Sequence, residues 1–350
     1  MSNEIMFFIG FIIFIVLMLA IDLGMFSKSD KPVSFKVAAI MSAVWVSFAL
    51  IFAAILYFWG HELHNIHDMT TLNEVIAKHF HNITINQNDL AASIEIYNKN
   101  LSLEYLTGYV VEYALSVDNI FVMVLLFTSF GIPEKYYHKV LVWGIIGAVV
   151  LRCIFIFVGA ALIAKFGWIL YVFGGFLVIT GIKMFLERNK NEEVDPQNHP
   201  VVKFASKYFK VTPKMDGGKF FHVENGVKYV TPLFLVLLVI EFTDLVFAVD
   251  SIPAIFSITK DPYIVFFSNI FAILGLRSMF FLLVNIIDKF HYLKVGLAFL
   301  LVFIGLKMLL HGYLQELGFT TAHSLITIVS ILAISIIASL VFPKKIDYTA

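Results

Sequence analysis

The stretch EFTDLVFAVDSIP (residues 241–253) places Glu241, Asp244 and Asp250 inside one of the most apolar runs of the chain. An earlier stretch, EYALSVDN (112–119), carries the same pattern. Glu112 aligns with Asp244, Val117 with Val249, Asp118 with Asp250 and Asn119 with Ser251. The correspondence continues downstream, where Leu151-Arg152 recurs as Leu276-Arg277 and GIKMFL (181–186) as GLKMLL (305–310). At that last offset Lys165-Phe166 also falls on Lys289-Phe290. A single match in apolar sequence carries little information. Acidic, arginine and lysine positions recurring in order over three helices each indicate two copies of one unit.

The rest of the chain says where those copies reside. Hydrophobic residues make up 60% of the 350 positions and charged residues only 14%, well below the quarter or so typical of soluble domains. Stretches of about 20 apolar residues cross the hydrocarbon core as helices. Nine are expected, at roughly 5–26, 35–59, 103–130, 138–162, 166–187, 231–256, 262–286, 291–311 and 321–342. The predicted class is therefore an all-α integral membrane protein whose spans 3–5 and 6–8 form two three-helix repeats. Because each unit has three spans, the second enters the bilayer from the opposite side, an inverted repeat common among secondary transporters. The expected segments are helices 1–2 (1–59), a polar external loop (60–102), the first repeat (103–187), a Lys-rich loop (188–230), the second repeat (231–311) and a last helix with its tail (312–350).

Basic residues concentrate on one side: Lys28, Lys31 and Lys36, Lys135 and Lys139, the 188–230 segment, Lys294, and Lys344 and Lys345. The opposite connections hold Lys78, Lys99, Lys165 and Lys260. The positive-inside rule then predicts an outer N-terminus and a cytoplasmic C-terminus. HVENGVKYV (222–230) reads as a small hairpin turning at Asn225-Gly226. With zero net charge and dispersed basic residues, nothing points to nucleic acid. A lone Cys153 excludes a disulfide framework or a thiolate metal site within the chain. His61, His64 and His67 could gather a metal ion outside the membrane, but three-residue steps drift ~60° each around a helix. A solvated, poorly structured loop is the expected alternative.

An acidic side chain at a helix centre costs roughly 2.5–3.5 kcal/mol on insertion scales, so each one calls for a function or a partner. Glu112, Asp118, Glu241, Asp244 and Asp250 lie in spans 3 and 6, Asp22 in span 1, and Arg152 and Arg277 in spans 4 and 7. If Glu112 pairs with Arg152 and Asp244 with Arg277, several carboxylates remain. Together with Asn119, Ser251, Ser268 and Asn269 they offer hard oxygen ligands suited to Mn²⁺, Ca²⁺ or Mg²⁺. Residues six apart stand ~9 Å apart along a helix and ~120° around it, so one site using all of them requires a break, expected near Pro253. Otherwise Glu241, and Asp22 with it, belongs to proton coupling or a second site.

At these residues the chain resembles the TerC family of integral membrane proteins, which includes Alx-type manganese exporters. The resemblance rests on GYVVEYALSVDNIFV (108–122), VLVWGIIGAVVLR (140–152), FGGFLVITGIKM (173–184), TPLFLVLLVIEFTDLVFAVDSIPAIF (231–256), SNIFAILGLRSMFFLL (268–283) and, more thinly, IDLG (21–24). It implies a non-enzymatic bacterial inner-membrane exporter of Mn²⁺ without a resident cofactor, and a name linked to tellurium resistance. The implied metal residues are Asp118 and Asp250 first, then Glu112, Asp244, Asn119 and Ser251, with Arg152 and Arg277 balancing charge or gating. The alternative is a membrane scaffold in a stress-resistance or protein-insertion complex. An intramembrane hydrolase built on two touching aspartates is a third, weaker reading.

Overall fold

The computed structural model describes residues 3–26, 33–187, 199–215, 217–224, 226–284 and 292–342. The side chain of Asp22, Asn225, Lys28, Lys31, Lys289-Phe290, Lys344, Lys345 and all of 188–198 lie outside the described residues. Among the described residues the regular structure is helical apart from one hairpin. Its elements are α1 (Asn3–Phe26), α2 (Phe35–Leu63), α3 (Met69–His79), α4 (Leu90–Ser129), α5 (Tyr137–Lys165), α6 (Ile169–Leu186), α7 (Pro200–Tyr208), α8 (Pro232–Phe256), α9 (Pro262–Leu283), α10 (Leu293–Leu309), α11 (His311–Glu316) and α12 (Thr321–Val341). The hairpin, β1 (Phe221–Glu224) and β2 (Val227–Val230), precedes α8 as the Asn-Gly turn predicts.

Among the described residues seven helices are long and apolar enough to cross a membrane: α2, α4, α5, α6, α8, α9 and α12. The apolar part of α1, Ile5–Ile21, and the 17-residue α10 are shorter, so length alone does not establish nine spans. Helix α9 is the axis of the bundle. Its apolar stretch is buried throughout, as expected of a helix that is apolar all round, and α2, α4 and α5 pack against it. The outer helices show the opposite pattern. Val16 and Leu17 of α1 and Ile326, Ile334 and Ile337 of α12 are more than half exposed, forming the greasy faces that a bilayer covers.

Helices α6 and α10 meet through small residues. A Cβ at Gly181 would lie 2.7 Å from the Ala298 carbonyl oxygen and 2.8 Å from Val302 Cγ2. One at Gly305 would lie 2.6 Å from the Gly174 carbonyl oxygen and 2.8 Å from Val178 Cγ2. Gly181 and Gly305, Gly174 and Ala298, and Val178 and Val302 are separated by the same 124 positions. The contact is thus reciprocal, the pattern of a local two-fold axis, and lack of side chains lets the backbones approach closely.

Two expectations fail here. Residues 60–102 are not a structureless loop: the end of α2, all of α3 and the first turns of α4 build a helical cap. Asp68 and Asp89 nucleate it by accepting the Thr71 and Ala92 amides at 2.7 and 3.0 Å. Nor is there the break expected near Pro253, and α4 and α8 run on through Asp118 and Asp250. Pro253 sits inside α8 three residues before its last residue, where a missing N–H disturbs only the terminal turn.

Candidate functional site

Helix α5 carries Arg152 into the space between α4, α8 and α9, where it is only 1% exposed. Its Nη1 donates to Glu112 Oε1 of α4 in a very short ion pair, to Asn269 Oδ1 of α9 at 3.0 Å and to Ser251 Oγ of α8 at 3.3 Å. Its Nη2 and Nε donate to the two carboxylate oxygens of Asp244 at 3.1 and 3.4 Å. Asn269 Nδ2 closes the ring by donating to Glu112 Oε2 at 3.1 Å. Every acceptor turned to the guanidinium is an oxygen, and Glu112, Asp244, Ser251 and Asn269 are all buried. Asp244 and Ser251 are seven residues apart, close to two turns, which puts both on one face of α8.

Unbroken helices explain why the remaining acids are elsewhere. Asp118, half-buried, lies ~9 Å along α4 from Glu112 and a third of a turn around it. Asp250 turns towards Thr180 of α6, and its buried Oδ1 has no hydrogen-bond partner. The Glu241 carboxylate occupies the space over Gly147 of α5 that any side chain there would fill. Asn119 is buried on α4 outside the ring. The expected pairing of Asp244 with Arg277 is not found. Arg152 holds both carboxylates, while Arg277, 2% exposed, donates to His138 Nδ1 at 3.0 Å. Two touching aspartates, the hydrolase arrangement, are replaced by two carboxylates separated by a guanidinium.

Residues 97–346 match the model of the integral membrane protein TerC family. The chain belongs to this family. It is 45% identical over 332 residues to an uncharacterized membrane protein of Myxococcus xanthus, covering 95% of this chain and 91% of that one. Proteins named membrane-bound redox modulator Alx are similar too. That of Photorhabdus laumondii is 39% identical over 329 residues (94% and 92% of the two chains), and that of Escherichia coli 42% over 302 (86% and 84%). No solved structure matches the chain.

The cap of this TerC-family protein holds a second polar cluster. His61, His64 and His67 do not converge, because α2 ends at Leu63 and Asn65 adopts a left-handed conformation with φ of 54°. His61 bonds to Asn98, and exposed His67 bonds to Asn65 at 3.2 Å. His64 instead turns inward, its Nε2 2.8 Å from Asp261 Oδ2. His79 at the end of α3 packs on it with ring centroids 5.0 Å apart, and His81 lies 5.9 Å beyond. Burial holds the His79 imidazole down at about 4. Burial also disfavours the Asp261 charge, but the His64 charge and hydrogen bond, with His79 and His81 nearby, keep its carboxyl well below the usual range. For His81 the balance is reversed: burial is outweighed by the charge and hydrogen bond of Glu104, 2.9 Å away, and the imidazole titrates above its ordinary value.

Sequence reasoning missed Asp261 and the role of the His79 pair. Asp261 precedes Pro262, where it reads as a helix cap, and it does cap α9 by accepting the Tyr263 amide at 2.9 Å. Only the fold brings that cap to the end of α2.

Proposed function

We propose that this TerC-family protein transports a divalent metal cation, Mn²⁺ first among candidates, outward across the bacterial inner membrane. The single observation that carries the reading is the all-oxygen cage around Arg152, drawn from α4 of one three-helix unit and α8 of the other. In the empty state the guanidinium stands in for the cation. Glu112, Asp244, Ser251 and the Asn269 carbonyl are the ligands an incoming ion would take over, and oxygen-only ligation suits Mn²⁺, Mg²⁺ or Ca²⁺. Asp118 and Asp250, further along the same two helices, would line the ion's path, with Asn119 beside them. The reciprocal α6–α10 contact supports the inverted repeat and a rocking motion around the cage.

The two arginines support a two-state device. Arg152 and Arg277 align in the two units, and it is Arg152 that engages Glu112 and Asp244. In the opposite conformation Arg277 would leave His138 and take its turn. Moving a divalent cation outward against the potential costs about 4.6 kcal/mol per 100 mV, twice the single-charge value. Exchange of protons on Glu241, Asp250 or Asp22 for the metal would supply it. The redox modulator role in the name of the Alx relatives finds less support here, because one cysteine cannot form an intrachain dithiol. A scaffold role would reside in the Lys-rich 188–230 segment rather than in the cage.

Mn²⁺ efflux from loaded cells or liposomes tests the reading, comparing wild type with Glu112→Gln, Asp244→Asn and Arg277→Gln. Each variant should lose at least ten-fold in flux while still inserting and folding. Full flux in both carboxylate variants would refute the cage as the cation site. Full flux after deleting most of 188–230 separates transport from scaffolding.

A further inference from the structure

The cage accounts for the buried charges of α4, α5, α8 and α9 but leaves the histidines of the cap unexplained. One ligating atom from each of His64, His79 and Asp261 lies within 4.8 Å of the others, and all three side chains are at most 5% exposed. Three separate elements deliver them: the end of α2, the end of α3 and the N-cap of α9. The Nε2 of His79 is buried with no hydrogen-bond partner, and so is that of His81. A buried polar atom without a partner costs about 1–3 kcal/mol, so an unpartnered imidazole nitrogen on His79, beside His64 and Asp261, calls for a ligand.

We propose that His64, His79 and Asp261 form a binding site for a divalent first-row transition-metal ion, distinct from the mid-membrane cage. Two imidazoles and one carboxylate suit Zn²⁺, Co²⁺ or Mn²⁺ and discriminate against Ca²⁺ and Mg²⁺, which take oxygen ligands almost exclusively. Ligands at about 2.0–2.2 Å around a tetrahedral ion stand roughly 3.4 Å apart; His64 Nε2 and Asp261 Oδ2 are already 2.8 Å apart, so it is chiefly His79 that must draw in, by about 1 Å. Helix ends permit that adjustment without disturbing the bundle.

The surroundings are built to hold the site. Asn98 of α4 inserts into a kink of α2 at Trp59, accepting the His61 amide at 2.7 Å and donating to the Phe58 carbonyl at 3.3 Å. That kink sets the direction in which the chain leaves α2, and hence the position of His64. Asn100 donates to Glu104 Oε1 at 2.7 Å, steadying the carboxylate that holds His81. Such outer partners orient ligands in known metal sites. The carboxylates of Asp261 and Glu104 supply the negative charge that attracts the ion.

The site does not depend on the transport reading, and its test uses binding rather than flux. Chelator-treated full-length protein in detergent is titrated with Zn²⁺ by calorimetry and with Co²⁺ by visible absorption. We expect one site insensitive to millimolar Mg²⁺ and to Glu112→Gln, with affinity at least 100-fold weaker in His79→Leu and Asp261→Asn. Because His79 Nε2 has no partner to lose, His79→Leu should keep its metal-free melting temperature while losing the rise that Zn²⁺ produces in wild type. Pulsed EPR of Cu²⁺ bound to the wild-type chain should show imidazole nitrogen couplings without recourse to any variant. Wild-type affinity in His79→Leu, or absence of nitrogen couplings in the wild type, would overturn the assignment.

Discussion

Replacing Arg152 with methionine removes the guanidinium but keeps most of its apolar stem. The variant strands Glu112 and Asp244 as buried carboxylates and deprives Asn269 Oδ1 and Ser251 Oγ of a donor. Breaking a buried ion pair from one side costs about 3–5 kcal/mol, because the surviving charge is left without compensation. Two carboxylates share this arginine, which puts the expected loss at the upper end, about 5 kcal/mol, partly relieved if one acid takes up a proton. Arg152→Lys keeps the charge but loses the planar fork that reaches four residues, so it should fall between the two. Adding Glu112→Gln and Asp244→Asn to Arg152→Met removes the stranded charges. Replacement of a buried ion pair by neutral groups is often near-neutral, so the triple variant should recover most of the stability. Thermal and denaturant unfolding in one detergent would read all four proteins. The reasoning is refuted if Arg152→Met melts with wild type, or if the triple variant is no more stable than the single one.

Two further tests address the scaffold around the site. Gly181→Ala and Gly305→Ala each push a Cβ to 2.7 and 2.6 Å from a backbone carbonyl of the facing helix. Each should cost about 1–3 kcal/mol by overpacking, the two losses should be alike, and the double variant should lose less than their sum because one separation of α6 and α10 admits both methyls; clearly unequal single losses would contradict a two-fold contact. In metal-free protein the cap should weaken on acidification. His79 has a folded value of about 4 against 6.5 unfolded, so its neutral form contributes stability that is fully present above about pH 6.5 and lost as pH falls to about 4, roughly 3 kcal/mol in all. The groups facing it are His64, His81, Lys78 and Asp261, of which His81 contributes in the opposite sense. A His79→Leu protein whose stability falls as steeply as wild type over that window would show that the slope arises elsewhere.

What could be read from the sequence was what repeats or has a period. Apolar runs of span length predicted a membrane bundle, and Asn225-Gly226 predicted the hairpin. The repeat flagged Glu112 and Asp244, the two acids that share Arg152, but it ranked Asp118 and Asp250 ahead of them. What escaped were the consequences of packing between distant segments. Asp118 and Asp250 look as prominent in sequence as Glu112 and Asp244, yet a continuous helix rotates them by about a third of a turn away from the ring. The equivalence of Arg152 and Arg277 suggested one pair for each carboxylate, whereas one guanidinium has enough donors for both. In the cap, regular spacing drew attention to His61, His64 and His67. The left-handed Asn65 disperses them, and His64 finds partners in residues 79 and 261, which no local pattern connects.

The tethered arginine also bears on why a transport site would be built this way. Two buried carboxylates without a counter-ion would cost several kcal/mol each in desolvation, so the empty cage needs a resident positive charge. A proton on one acid would serve for stability, but its occupancy would vary with pH. Under the proposed function, arginine, permanently charged and covalently held, would compete with the incoming ion at every turnover and lower its affinity by the strength of the ion pairs that must break. A transport site needs binding firm enough to admit the ion and weak enough to release it. On this argument lysine at position 152 should be a poorer competitor than arginine, since its single ammonium cannot engage Glu112, Asp244, Ser251 and Asn269 together.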